Sequence, residues 1–258
     1  MGSDPGADFP LTRKTIDQLD GWVQRLAAPL LPAECVEYKE SVWEFREETP
    51  LALAVSKIVR MASGIRAAML LVDAGFVAEC ACLLRIVGDL DFEVVAVIEG
   101  EIRGEMTTAQ QKFIDQFFSR PAMDSVSISG PPKNDHVSRK DLMKAHVKLA
   151  EAAGQDGEEI RHLIRKLNWG YDGYVHGSYS SAMELYHGGR DQFMLRGHEG
   201  EELRRRYRRA VSVKLVELLN TFRLVAIAQG DKALSSELAE AAAELMSSQE
   251  QMLASGGG

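Results

Sequence analysis

Three groups of side chains in this 258-residue chain have types and spacings that could do chemistry. The first lies in Trp169-Gly170-Tyr171-Asp172-Gly173-Tyr174-Val175-His176-Gly177-Ser178. If this run is helical from Tyr171, Asp172 and His176 stand four residues apart and face the same way. A carboxylate beside an imidazole can fix its tautomer and favour its charged form, which suits general acid–base work. The same aromatics and glycines equally suit a pocket wall or close helix packing, with His176 a hydrogen-bonded core residue. The second group is Arg85, Asp89 and Glu93, at i, i+4 and i+8 of an apolar helix. It is either a solvated face with an Arg85–Asp89 pair or a polar cleft of one cation and two carboxylates. A charged stripe on a central helix needs partners, because an unpaired buried ion is very costly. The third is Arg204-Arg205-Arg206-Tyr207-Arg208-Arg209. With Leu203, Tyr207 and Val211 inward, Arg204, Arg205, Arg208 and Arg209 are expected to face outward. There they serve either as a salt-bridged face supported by Glu201 and Glu202 or as a local phosphate-binding patch.

Helical periodicity dominates the elements that must position these groups. Ile16, Leu19, Val23 and Leu26 form one stripe over Thr12–Ala28. A second helix is predicted over Ala33–Glu48 from Val36, Val42, Trp43 and Phe45. Thr49-Pro50 is a start signal for a long helix to Asp73, Ala74-Gly75 a turn, and Phe76–Glu99 a second long helix. These two are the most apolar segments, which places them at the centre of an all-α multi-helix bundle. A break follows at Gly104. Thr108-x-x-Gln111 reads as a capping box, Ala122–Val137 as a mobile loop, and Ser138-x-x-Asp141 and Asp156-x-x-Glu159 as further helix starts. A short β-hairpin is predicted from Glu184–Tyr186 and Gln192–Leu195, then helices over Glu201–Ala228 and from Asp231 to Leu253. The economical organisation is one helical domain over 12–253 between flexible ends at 1–11 and 254–258.

Composition narrows the classes. The chain is 45% apolar and 26% charged, ordinary values for a folded globular protein. Its net charge of −8 provides no whole-domain attraction to nucleic acid or anionic membrane, so any polyanion must be caught by a local patch. Cys35, Cys80 and Cys82 make no disulfide framework and read as small apolar residues of a reducing, cytoplasmic protein. Charges interrupt every long apolar run, so no membrane span is expected. Glu79, Asp89, Glu93, Asp172 and His176 lack the Glu-x-x-His pattern of di-iron bundles, and neither a phosphate-cradling glycine loop nor a nucleophile turn is present. No metal and no cofactor are expected.

The helix pair carrying Arg85 with Asp89 and Glu93, followed far downstream by Tyr171-x4-His176-Gly-Ser178, resembles an uncharacterised bacterial branch of the HEPN-like (higher eukaryotic and prokaryotic nucleotide-binding) superfamily. The resemblance spans Thr49 to Ala228. It implies an all-helical protein acting on RNA or nucleotides, such as a metal-independent ribonuclease, in a toxin–antitoxin or phage-defence setting. It further implies a homodimer and a partner protein. Ribonucleases of the family carry Arg, four to six residues, then His. Here Tyr171 stands where the arginine is expected, and Arg165 lies eleven residues before His176. On this reading His176 is the acid–base group, Asp172 its orienter and Arg85 the phosphate stabiliser, supplied through space. Glu93 and Asp89 order Arg85 or bind ligand, alongside Tyr171, Tyr174, Ser178 and the arginine run. The alternative is a non-catalytic helical interaction or regulatory module, in which the same residues form a structural polar network.

Overall fold

The computed structural model describes residues 9–37, 41–119, 137–152, 154–188, 190 and 192–255. They form an all-α multi-helix bundle with two small hairpins: α1 (Pro10–Ala27), β1 (Glu34–Glu37), β2 (Ser41–Glu44), α2 (Pro50–Asp73), α3 (Val77–Arg103), α4 (Thr108–Phe118), α5 (Arg139–Ala152), α6 (Gly157–Val175), α7 (Tyr179–Met183), β3 (Tyr186–His187), β4 (Gln192–Phe193), α8 (Glu201–Ala228) and α9 (Lys232–Ser255).

The long central pair forms as its start signals require. The Thr49 hydroxyl accepts from the Ala52 amide at 3.1 Å, Pro50 occupies the first turn, and α2 runs to Asp73. Gly75 turns the chain at φ +86° and α3 follows, ending against Gly104 in the left-handed region. A Cβ at Gly64 would lie 2.8 Å from Val87 Cγ2, so this glycine sets how closely α2 approaches α3. α3 is the hub: it packs against α2, α4, α5, α6 and α8. The main core gathers Leu19, Ile58, Ile65, Leu84, Leu215 and Phe222 from α1, α2, α3 and α8, closed on one side by Leu234 and Leu238 of α9. At ~1.5–3 kcal/mol for each fully buried large apolar side chain, this cluster supplies most of the drive to fold.

The structure corrects several expectations. Ala33–Glu48 is not a helix: β1 and β2 pair antiparallel there, with Cys35 opposite Trp43 and Val36 opposite Val42. The polar–apolar alternation of Glu34-Cys35-Val36-Glu37 and Ser41-Val42-Trp43-Glu44, rich in β-branched and aromatic residues, favours extended pairing. Cys35 is exposed, whereas Cys80 is buried and Cys82 half-buried, and all three are free thiols. α1 begins two residues earlier than predicted and Phe9 is buried, so order reaches into the segment expected to be flexible. The capping box of α4 is Thr107 with Gln110, one residue before the pair predicted. Of the predicted 122–137 loop, only Val137 lies among the described residues. The Ser138 and Asp156 caps form as predicted, and the second hairpin pairs Tyr186 with Phe193. Among the described residues, no helix is long and apolar enough to cross a membrane.

Candidate functional site

The predicted site residues divide into a closed ionic clasp and an open helix end. α6 packs against the middle of α3. Across that interface Arg85 Nε donates to Asp172 Oδ1 at 2.6 Å, while the other side of the guanidinium pairs with Asp89 one turn along α3. The Arg85 side chain is only 11% exposed, against 43% for each carboxylate. Burial alone would lower its pKa, but the bonds to Asp89 and Asp172 more than reverse this and raise it, so the cation is locked in place. Glu93 does not join them: its Oε2 accepts from Lys57 Nζ of α2 at 2.5 Å.

His176 stands apart from the clasp. α6 ends at Val175, and His176 is its C-cap at φ −97°, ψ 5°. Gly177 follows at φ +61°, its amide donating to the Tyr174 carbonyl at 3.3 Å, and the Ser178 amide donates to the Gly173 carbonyl at 2.7 Å. This pair of bonds is a Schellman exit, which needs a residue such as glycine in the left-handed position. Ser178 then caps α7, accepting from the Ser181 amide. The Gly177-Ser178 pair is thereby explained by backbone geometry. The imidazole of His176 is exposed and bonds to no described residue. The expected Asp172–His176 pairing is absent, because the helix stops before His176 and the nearer cation, Arg85, takes the carboxylate.

On the adjoining side, Tyr174 and Tyr207 meet edge to face, with ring centroids 6.0 Å apart. Glu184 Oε2 accepts from Tyr174 at 2.7 Å and lies 3.0 Å from the Tyr207 hydroxyl. Burial pushes Tyr171 and Tyr174 up to about 12, and raises Tyr207 as well. These rings are packed wall rather than reactive phenols.

The arginine run is split by the twist of α8. Tyr207, Arg208, Val211, Ser212 and Leu215 all turn inward. Arg208, expected outside, is completely buried; its Nε donates to Asp73 Oδ1 at 2.9 Å and its Nη1 pairs with Glu201. Asp73 also receives Arg13 Nη2 at 2.7 Å. Arg204 pairs with Glu201 at 2.9 Å, Arg205 is exposed and Arg209 half-buried. Arg206, not singled out from the sequence, is exposed, and its charge offsets in small part the effect of burial on Tyr171 and Tyr174.

Two cavities lie along α3. One of about 170 Å³ is bordered by Glu99, Gln110, Lys144 and Lys148, and one of about 370 Å³ by Asp89, Phe92, Glu93 and Phe113. Neither is lined by His176 or Arg85. Among the described residues no cluster of three or more His, Cys, Asp or Glu could hold a metal ion. No protein-family model matches this chain, and no curated protein or solved structure matches it either.

Proposed function

We propose that this chain is a HEPN-like helical protein that binds RNA or nucleotide phosphates where the end of α6 meets α8, with Arg85 acting as scaffold instead of phosphate ligand. The observation that carries the reading is the exposed Arg206, chain neighbour of Tyr207, whose ring packs edge to face on Tyr174 in the last turn of α6, just before the exposed His176. On a chain of net charge −8, a phosphate must be held by such a local group. Arg205 and Arg209 extend the basic row along α8. Arg85, already bonded to two carboxylates, has little charge left to offer a phosphate. An imidazole without an orienting carboxylate makes a weak acid–base group, so ribonuclease turnover on this reading requires the facing histidine of a second copy.

The test is binding of a fluorescent single-stranded RNA across a salt series, followed by anisotropy. Arg206→Ala weakens binding and makes the log–log salt slope shallower by about 0.7 for each phosphate left without its cation. An unchanged slope overturns the reading. A second reading, a non-catalytic interaction module, is favoured by the clasp: Arg85 and Asp172 are committed to each other across α3 and α6, and neither cavity reaches His176. No salt-sensitive RNA binding by the wild type, at concentrations that would support a dimer, selects it. Cleavage abolished in His176→Ala rejects it.

A further inference from the structure

The segment from the end of α6 through α7 to the second hairpin is pinned to the bundle at Glu184, whose carboxylate lies within hydrogen-bond distance of the Tyr174 hydroxyl of α6 and the Tyr207 hydroxyl of α8. Directly past this pin the hairpin closes. The Met194 amide donates to the Leu185 carbonyl at 2.8 Å, and the Tyr186 and Phe193 ring centroids stand 5.3 Å apart. The same segment holds large apolar side chains in water. Tyr179, at the first position of α7, is 81% exposed and Leu195, just after β4, 80%. They are the two most exposed large apolar residues among those described, and Phe193 is 52% exposed. Tyr179 contributes little to folding, because apolar stabilisation scales with the area removed from water. Its place in the chain does not ask for a tyrosine either, since α7 is started by the Ser178 hydroxyl, which accepts from the Ser181 amide. Single exposed apolar residues are ordinary, but a concentration of them marks a contact surface.

Basic side chains interleave with these rings and say what covers them. The exposed His176 precedes Tyr179 by three residues, and the exposed Arg196 follows Leu195. On the α8 side the exposed Arg206 is the chain neighbour of Tyr207, which packs on Tyr174. Aromatic faces set among cations are complementary to a polyanion that carries flat bases: the cations take phosphates and the rings take bases. An apolar protein face would answer the rings and leave the charges without partners. A duplex keeps its base faces inside the stack, so only an unpaired base can lie on such a ring.

We propose that Tyr179 is a stacking residue for an unpaired base of bound RNA. The assignment rests on RNA being the ligand at the end of α6 and α8. The test titrates the full chain, across a salt series, with a short single-stranded RNA containing 2-aminopurine, a fluorescent base that is quenched when it stacks. Wild type binds and quenches the probe. Tyr179→Ala binds about tenfold more weakly, the worth of one base–ring stack, and does so with an unchanged log–log salt slope, because no phosphate contact is lost. Tyr179→Trp retains binding and quenching, whereas Tyr179→Leu, apolar but without a π-face, behaves like the alanine variant. An abasic strand of the same length binds wild type and Tyr179→Ala equally. The exposure of this side chain leaves the fold intact in all three variants, which far-ultraviolet circular dichroism checks. RNA binding unaltered in Tyr179→Ala, or fully retained in Tyr179→Leu, overturns the stacking role and leaves the phosphate reading standing. A wild type that binds no RNA overturns both. A dimer of the wild type that dissociates in Tyr179→Ala assigns the patch to a second copy and likewise overturns the stacking role.

Discussion

The buried Arg208 permits a comparison in which a charge and its counter-charge are removed separately. Arg208 is wholly enclosed, while Asp73 is 20% exposed and also bonds Arg13. In Asp73→Ala the guanidinium stays buried with only Glu201 beside it. Breaking a buried pair from one side costs about 3–5 kcal/mol, and the remaining Glu201 pair brings the expected loss to about 2–3 kcal/mol. In Arg208→Met the charge itself is gone, an apolar chain of similar length fills the slot, and Asp73 keeps Arg13 and solvent. That substitution is expected to cost about 1 kcal/mol or less. For a chain of this size a kilocalorie moves the melting temperature by ~2–4 °C, so Asp73→Ala melts roughly 5–10 °C low and Arg208→Met within ~4 °C of wild type. Urea denaturation and thermal melts followed by far-ultraviolet circular dichroism read both. If Arg208→Met proves as damaging as Asp73→Ala, the uncompensated charge is not what decides the cost.

Burial holds the Tyr171 and Tyr174 hydroxyls protonated up to about 12, whereas an unfolded chain releases such protons near ~10. Their contribution is therefore intact below ~pH 10 and declines as pH climbs toward 12, because the unfolded state has released protons that the folded state keeps. Ultraviolet tyrosinate absorbance should show a late-ionising class of tyrosines, and its absence in a folded sample would contradict this. Gly75→Ala forces a side chain onto φ +86° and brings its Cβ within 2.7 Å of the His198 carbonyl oxygen. A loss of about 2 kcal/mol or more is expected in a urea titration, and a neutral result would refute the close approach of the two turns.

Much of the fold was legible because its signals are local. Thr49-Pro50, Ser138 and Asp156 start helices through bonds to amides two or three residues on, and the apolar faces of α2 and α3 repeat at the helical period. Where the chain offered two local solutions, distant partners chose. Thr107-Thr108 and Gln110-Gln111 allow two capping boxes, and the first prevails because Gln110 Nε2 also reaches the Ala96 carbonyl at 2.6 Å and Glu99 at 2.9 Å. Val36, Val42, Trp43 and Phe45 fit a helical spacing by coincidence in a segment too short for period alone to decide between helix and strand. The site was harder to read. Arg85 and Asp172 do meet, as their charges suggested, but which group takes the Asp172 carboxylate depends on packing between residues 87 apart in the chain. Arg208 likewise turns inward toward Asp73, a partner 135 residues away. A row of arginines carries no mark of which one has a buried carboxylate waiting.

The open end of α6, and not the Arg85 clasp, is where phosphate is proposed to bind. The most direct measurement is the histidine ring-proton NMR spectrum, assigned through His176→Gln, during titration with a short single-stranded RNA at low salt. The His176 resonance is expected to move saturably; Arg206→Ala should weaken this response, while Arg85→Lys, which retains the charge in the clasp, should not. A His176 signal that stays fixed while RNA binds elsewhere on the chain, or that responds identically in Arg206→Ala, would contradict this placement.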